Sequence, residues 1–321
     1  MKNSSKSGLT ALIVLLAVTA VLTALNIFEK VTVIKIQPKQ KPEIKRIFKN
    51  DKDGYIARLE IKGVIQEANR TYNQEWLIST IRTLKEDENN KAIALLINSP
   101  GGTVYEADET YLALQDYKTS GKKIYAYQSK LAASGGYYIS CAASKIYANR
   151  NTFTGSIGVL SGTSFDMTEL FSKIGIKSTT IHAGSNKNML NYNEPLTDEQ
   201  IAIMQSIADE AYEQFTGIVA MSRNLILNDV KKLADGRIYT AKQALENGLI
   251  DAVDSWDNMI KDMRDAEFDG KELPVKEFSY QKEFSMSDLF YEKAPGISES
   301  LHALEDFASE CQLTYPAYLY K

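Results

Sequence analysis

A continuous apolar run at residues 92–97 places the strongest constraint on how this chain can fold. A run of this length without a polar face is typical of a strand in a parallel sheet that is covered on both sides. Between residues 55 and 148, further strand-like segments alternate with segments of helical apolar spacing. This alternation predicts an α/β fold in which helices pack on a mainly parallel sheet.

Two capping signals place helices further along the chain. Thr197 is followed three residues later by Gln200, which predicts a capping box and a long helix that ends near Arg223. Thr240 begins a second, shorter helix in the same way. The segment 178–182, which precedes the long helix, is predicted to be a strand.

The N-terminal segment 8–28 contains no charged residue and is long enough to cross the ~30 Å hydrocarbon core of a membrane as a helix. Lys2 and Lys6 precede it, which favours a cytoplasmic N-terminus at residues 1–7 and an extracytoplasmic location for the rest of the chain. The alternative is a cleaved secretory signal, but the run is longer than a usual signal core and shows no clear Ala-x-Ala site. We therefore expect a single-pass anchor in the cell membrane.

Composition excludes several classes of function. The net charge is −4 with acidic and basic residues interspersed, so no nucleic-acid surface is predicted. The two cysteines and two histidines form no cluster of metal-binding spacing, and we expect neither a metal nor a cofactor. The basic segment 29–50 contains two prolines and is interpreted as a linker. It precedes a main domain at 51–270 and a C-terminal extension at 271–321.

Two sequence motifs contain the candidate catalytic residues. Asn98-Ser99-Pro100-Gly101-Gly102 ends the apolar strand, and Ala133-Ser134-Gly135-Gly136-Tyr137-Tyr138 opens a predicted helix. The small neighbours of Ser134 leave its hydroxyl within reach of a substrate backbone, and the N–H groups of a glycine pair are suited to an oxyanion hole. The alternative is that Ser134 only caps its helix, because serine is a preferred N-cap residue.

A nucleophilic serine also needs a base. His182 falls in the predicted strand 178–182, where a packed or exposed side chain is the simpler interpretation, and His302 lies near the C-terminus. A Ser-His-Asp triad is therefore hard to build. A lysine is the established alternative partner.

Four motifs occur in the order found in one family. They are the two motifs above, Thr154-Gly155-Ser156-Ile157-Gly158, and Gly236-Arg237-Ile238-Tyr239-Thr240-Ala241. Over residues 55–265 the chain resembles the signal peptide peptidase A family of membrane-anchored serine proteases, in its short, single-repeat form. The resemblance implies a Clp protease/crotonase-like fold of repeated β-β-α units, a Ser-Lys dyad and a ring-shaped homo-oligomer.

The resemblance also implies roles for individual residues. Ser134 corresponds to the nucleophile, Gly101 and Gly102 to the oxyanion hole, and Ser156 to a hydroxyl that orients the lysine. The main domain is accordingly the catalytic protease domain. Without the resemblance, Ser156 would be interpreted as a plain turn residue.

In this family the base lies in a loop that follows a strand and precedes a long helix. Lys187 is the lysine in that position, and no other lysine occurs between Lys177 and Lys231. Lys130 and Lys145 are rivals by proximity to the serine. However, the first precedes the serine in a loop, and the second begins a strand at the far end of the helix.

These features predict a membrane-anchored serine endopeptidase that cleaves apolar peptides such as remnant signal peptides. The expected partners are peptide substrates, the membrane through residues 8–28, and further copies of the chain. One alternative is a crotonase-type acyl-CoA enzyme, which needs no nucleophilic serine and is normally not exported, so Ser134 and the anchor argue against it. The other alternative is an inactive scaffold of the same fold, which a missing lysine would have suggested.

The tail at residues 312–321 contains three tyrosines and two leucines, whereas disordered segments are poor in aromatic residues. Pro316 favours an extended chain. We expect the tail to bind as an extended strand, either on a neighbouring subunit or in a peptide-binding groove. The alternative is a tail that packs on its own domain.

Overall fold

The computed structural model describes residues 53–281 and 317–319. The predicted anchor at 8–28 and linker at 29–50 lie outside these residues. Within the described ranges, none of the helices combines the length and the apolar character that a membrane span requires.

The described chain alternates strands and helices, as the sequence predicts. In chain order the elements are β1 (Tyr55–Lys62), α1 (Gln74–Glu86), β2 (Asn90–Ser99), β3 (Gly101–Thr103), α2 (Val104–Lys118), β4 (Lys123–Ala133), α3 (Gly135–Ser140), β5 (Lys145–Ala148), β6 (Phe153–Gly155), α4 (Thr168–Lys173), α5 (Asp198–Arg223), α6 (Leu227–Leu233), β7 (Ile238–Thr240), α7 (Ala241–Glu246), β8 (Ala252–Val253), α8 (Trp256–Phe268), β9 (Val275–Phe278) and β10 (Ala317–Leu319).

Eight of these strands form one sheet, with the order β7-β6-β4-β2-β1-β9 along its main path. The long strand β4 pairs with β2 on one side, while its other side pairs first with β5 and then with β6. All pairs are parallel except β6 with β7. The predicted α/β class is therefore confirmed, with one antiparallel pair at the edge.

Strand β2 shows why the sheet is buried on both faces. Ile93, Leu95 and Ile97 belong to the larger core cluster, on the face covered by α1, α2 and α3. Ala92 and Ala94 point to the second cluster, against α8. Since successive strand residues point to opposite faces, a strand between two cores needs apolar residues at every position. This accounts for the continuous apolar run.

Helix starts follow the predicted capping signals. Thr197 and Thr240 each form a complete capping box, and α5 ends at Arg223 as expected. The predicted strand at 178–182 is wrong, because this segment has no regular secondary structure and its side chains are exposed. A strand is stable only when its backbone groups pair with a neighbour, and no strand of the described chain lies beside this segment.

The C-terminal part of the fold extends beyond the predicted domain boundary. Strand β9, at 275–278, joins the main sheet in parallel with β1, so the sheet continues past residue 270. Strand β10 lies elsewhere and pairs antiparallel with β3, with Tyr318 opposite Gly102. These three residues form an extended strand, as expected, but they pair with their own domain, which was the alternative to binding on a neighbouring subunit.

Candidate active site

Ser134 occupies a sharp turn between β4 and α3. Its backbone angles are φ 53° and ψ −118°, a conformation that a residue with a side chain adopts only at a cost. Two hydrogen bonds hold the turn: the Ser134 N–H donates to the Gly155 carbonyl at 2.7 Å, and the Tyr138 N–H donates to the Ser134 carbonyl at 2.9 Å. The surrounding structure therefore fixes a strained backbone at the predicted nucleophile.

The Ser134 hydroxyl makes no hydrogen bond that would stabilise the described part of the fold. Ser134 is the N-cap residue of α3, but its side chain makes no capping hydrogen bond. Its Oγ is buried and has no hydrogen-bond partner in the described part of the chain. A buried hydroxyl without a partner costs about 1–3 kcal/mol. The alternative of a helix-capping serine is thus excluded, and the hydroxyl is available for chemistry.

Strand β3 lies between two neighbours. On one side the Gly101 carbonyl accepts from the Ile65 N–H at 2.8 Å, and the Thr103 N–H donates to the Ile65 carbonyl at 2.9 Å. The Gly101 N–H donates to Ser99 Oγ at 3.0 Å. Because backbone groups alternate along a strand, the N–H and carbonyl of Gly102 face the other edge, where β10 pairs.

Gly102 is the predicted oxyanion-hole residue whose N–H faces the edge of β3 that β10 occupies. A side chain cannot replace its hydrogen, since a Cβ at Gly102 would lie 1.7 Å from the Ile65 carbonyl oxygen. Gly102 also lies beside the turn of Ser134, because a Cβ built on Gly135 would approach the Gly102 nitrogen to 3.3 Å. The first N–H groups of α3 have no partner within the helix. Donors from two elements thus converge beside the serine.

Ser156 lies next to Ser134 through sheet pairing. Ala133 of β4 is paired with Gly155 of β6, so the two serines follow paired residues. Ser156 is buried, has φ 50°, and donates its N–H to the Arg237 carbonyl at 2.8 Å. The structure therefore brings together the second and third sequence motifs.

The fourth motif supports this turn, a role that the sequence did not reveal. The Tyr239 ring covers Gly155 so closely that a Cβ there would lie 2.6 Å from Tyr239 Cδ2. Arg237 donates from Nε to both carboxylate oxygens of Asp235 at 2.8 Å. These hydrogen bonds lower the pKa of Asp235 to about 2, so the pair stays charged at neutral pH.

Within one chain, the Lys187 side chain does not lie close to Ser134. Its side chain is exposed, and its backbone N–H donates to the Gly184 carbonyl at 3.1 Å within a turn. His182 is also exposed, with Nδ1 3.0 Å from the Gly184 carbonyl. Neither side chain reaches Ser134 Oγ, which has no partner among the described residues.

The rival groups near the serine have other environments. Lys130 is exposed, and the Lys145 ammonium lies 5.6 Å from the centre of the Tyr125 ring. Cys141 is a free thiol at the end of α3, and burial raises its pKa to about 12. A thiol with such a pKa stays protonated at neutral pH and is a poor nucleophile. Cys141 is therefore not a candidate nucleophile.

Comparison with known proteins identifies the family. Residues 116–268 match peptidase family S49. A protein of Enterococcus faecium that carries the name of signal peptide peptidase SppA is 36% identical over 221 residues, which cover 65% of this chain and 64% of that protein. A Synechocystis protein named as a protease is 39% identical over 207 residues, which cover 64% of this chain and 71% of that protein. The chain belongs to peptidase family S49.

A third relative is the chloroplast serine protease SPPA of Arabidopsis thaliana. It is 36% identical to the S49 chain over 201 residues, which cover 62% of this chain but only 29% of that longer protein. The resemblance to signal peptide peptidase A inferred from the four motifs is confirmed. The names of these relatives support a serine peptidase and not the alternative of a crotonase-type enzyme.

Proposed function

We propose that this S49 chain is a serine endopeptidase in which Ser134 is the nucleophile and Lys187 the general base. The observation that carries the proposal is the buried Ser134 hydroxyl, held without a partner at a strained turn beside the edge of β3. Strained backbone at a position fixed by its surroundings is typical of functional sites. We further propose that the domain has the Clp protease/crotonase-like fold of the family.

The edge of β3 is suited to bind a peptide in extended form. Gly102 presents both an N–H and a carbonyl there, and β10 pairs with this edge in antiparallel orientation. A substrate peptide would add to the same edge by main-chain hydrogen bonds, as in other cases of strand addition. Its scissile carbonyl would then lie near the Gly102 N–H and the Ser134 hydroxyl.

Catalysis follows from these positions. Ser134 Oγ attacks the carbonyl carbon of the scissile bond while its proton passes to the Lys187 amine, and the Gly102 N–H stabilises the oxyanion. The lysine then gives this proton to the amine of the leaving peptide as the C–N bond breaks, which leaves an acyl-enzyme on Ser134. A water molecule attacks the ester and passes its proton through Lys187 back to Ser134 Oγ as the acyl product leaves.

Lys187 reaches Ser134, in this proposal, from a neighbouring copy of the chain in a ring-shaped homo-oligomer. The segment that carries Lys187 exposes large apolar side chains, and Ile181 is 97% exposed. Others in this segment are Leu160, Phe165, Leu170, Ile174 and Ile176. Burial of one such side chain stabilises an interface by about 1.5–3 kcal/mol. Contact with another copy would cover these residues and would carry Lys187 towards the next Ser134, where Ser156 orients it.

The substrates that fit this proposal are apolar peptides such as remnant signal peptides. Residues 8–28 would anchor the enzyme in the cell membrane, with the catalytic domain on the extracytoplasmic side, where such peptides remain after secretion. A panel of fluorogenic peptides tests the preference. We expect faster cleavage with small or apolar residues next to the cut, and a strong preference for charged residues there would contradict this substrate class.

Two experiments test the catalytic assignment. A serine-reactive acylating probe should label Ser134 in the purified protein, as mapped by mass spectrometry, and Ser134→Ala should remain unlabelled. The variants Ser134→Ala and Lys187→Ala are then produced as two separate proteins. Subunits of the two variants are also combined in mixed rings. If sites lie between subunits, a mixed ring regains activity, because about a quarter of its sites combine an intact serine with an intact lysine.

The outcomes separate the parts of the proposal. Activity of the mixed ring, with both single variants inactive, supports a site shared between subunits. No activity of mixed rings would mean that Lys187 acts on the serine of its own subunit. Appreciable turnover by Lys187→Ala alone at neutral pH would remove Lys187 from the mechanism, and labelling of another residue would remove Ser134.

A further inference from the structure

The second tyrosine of the motif around Ser134 has no role in the chemistry described above. Tyr138 is fully buried in the first turns of α3, and its backbone N–H binds the Ser134 carbonyl at 2.9 Å. Any displacement of Tyr138 is therefore transmitted to the turn that holds the serine. What the Tyr138 side chain contacts thus bears directly on the position of the nucleophile.

The Tyr138 phenol joins two other helices. It donates to Asp108 Oδ1 of α2 at 2.6 Å and accepts from Gln214 Nε2 of α5 at 2.7 Å. Its ring meets Tyr111 of α2 edge-on at 5.5 Å between centroids, and lies 5.0 Å from the ring of Phe215 of α5. One side chain thereby fixes α3 against both helices.

The contact with α2 has a direct geometric consequence for the site. Helix α2 begins at Val104, immediately after β3, so Asp108 is tied to the strand that carries Gly102. Ser134 is tied to α3 in the same manner, at its N-terminus. The hydrogen bond between the phenol and Asp108 thus spans the two elements that carry the nucleophile and the oxyanion donor. Its length influences the distance between Ser134 and the Gly102 N–H.

We propose that Tyr138 is a positioning residue whose hydroxyl, held between Asp108 and Gln214, sets the Ser134 hydroxyl relative to the Gly102 N–H. A displacement of about 1 Å at an active site can cost on the order of 100-fold in rate. The phenol acts on the geometry of attack and not on peptide affinity, so its loss lowers kcat while KM changes little. The inference rests on the proposed role of Ser134 but not on that of Lys187.

Tyr137 supplies a matched control within the same helix. It is equally buried, but its hydroxyl donates to the Leu249 carbonyl at 2.8 Å, in the loop between α7 and β8, and not to a side chain of α2 or α5. Tyr137→Phe and Tyr138→Phe thus each remove one buried phenolic hydroxyl from α3. Only Tyr138→Phe removes a hydrogen bond between the elements that carry Ser134 and Gly102.

The test measures the rate of Ser134 acylation by an activated peptide ester, together with kcat, KM and the melting temperature. We expect Tyr138→Phe to acylate about 10- to 100-fold more slowly with a nearly unchanged KM, and Tyr137→Phe to acylate like the parent. Equal acylation rates of the two variants and the parent would overturn the proposal. So would slowing by the same factor in both, because this would indicate a general effect of weakened packing.

Two variants at Asp108, which accepts the hydrogen bond from Tyr138, keep the proposal testable if Tyr138→Phe does not fold. Asp108→Asn retains an oxygen acceptor and should acylate at nearly the parental rate, whereas Asp108→Leu should reproduce the slow acylation. Parental acylation by Asp108→Leu would contradict the proposal. The same pair is measured in the Lys187→Ala background, where the relative slowing should persist. Its disappearance there would show that Asp108 acts through the lysine and would also overturn the proposal.

Discussion

The two regions that carry the candidate catalytic residues differ in almost every physical respect. Residues 90–158, with Ser134 and Ser156, form the centre of the sheet and contain half of the buried side chains of the larger core. Residues 159–194, with Lys187, contain one short helix without a buried residue, and Asn188 is their single buried side chain.

The difference teaches that the elements around Ser134 are fixed within one chain, whereas the segment of Lys187 is exposed and lies apart from the serine. The proposed nucleophile Ser134 lies in a strained turn that is held by hydrogen bonds to β6 and within α3, and Gly102 is held in β3. The lysine lies in an exposed segment with large apolar side chains. Such exposed apolar surface is typical of a protein–protein interaction site. Changes in the first region should therefore act on chemistry within one subunit. Changes in the second should act through assembly.

The largest effects should come from the two proposed catalytic residues, one in each region. Ser134→Ala and Lys187→Ala should each lower peptidase activity by about 10⁴-fold or more, and the double variant should be little worse than either single one, since the two act as a unit. Melting temperatures and oligomer size should stay near the parental values. A much lower activity of the double variant would show that the residues act independently.

Gly102→Ala should produce the next largest effect, because it forces backbone movement in the buried region. The new Cβ would meet the Ile65 carbonyl, so β3 has to shift away from Ile65 and displaces the Gly102 N–H. We expect activity to fall by about 100-fold or more, with a lower melting temperature. Gly217→Ala in α5 is the control, since nothing lies within 4 Å of its Cβ position. An active Gly102→Ala variant would place the oxyanion hole elsewhere.

Ser156→Ala should have an intermediate effect, because its proposed role connects the first region with the lysine of the second. Its hydroxyl is proposed to orient the lysine and does not react itself, so we expect a loss of about 10- to 100-fold in kcat. The control is Ser120→Ala, which removes a hydroxyl that binds the Tyr117 carbonyl in a remote turn. Equal activities of the two variants would show that Ser156 is only a turn residue and does not orient the lysine.

Removal of residues 312–321 should have the smallest effect. Strand β10 pairs with the β3 edge that we propose for substrate, so its removal should raise kcat/KM for small peptides by about 2- to 10-fold. Tyr318→Pro tests the same contact without shortening the chain, because proline cannot donate a strand hydrogen bond to Gly102. If both variants match the full-length protein in rate and in size by light scattering, the tail does not compete with substrate.

Local features of the fold could be predicted because their causes are local. The apolar run at 92–97 indicated a strand buried on both faces, and the capping boxes at Thr197 and Thr240 indicated two helix starts. The segment 178–182 was mistaken for a strand because the residues of one segment cannot show whether a neighbouring strand exists. Strand β9 was missed for a related reason, because its place in the sheet depends on pairing with β1, which is distant in the sequence.

The sequence by itself determined the family, the α/β class and the identity of the candidate nucleophile, since each rests on short motifs of fixed composition. Only the tertiary structure decided that the Ser134 hydroxyl lacks a capping bond, that the Gly101 N–H binds Ser99, and that Gly102 faces the edge of β3 where β10 pairs. These properties depend on contacts between residues far apart in the chain. Which backbone groups remain unpaired is set by the register of neighbouring strands, and a residue pattern along one segment does not encode that register.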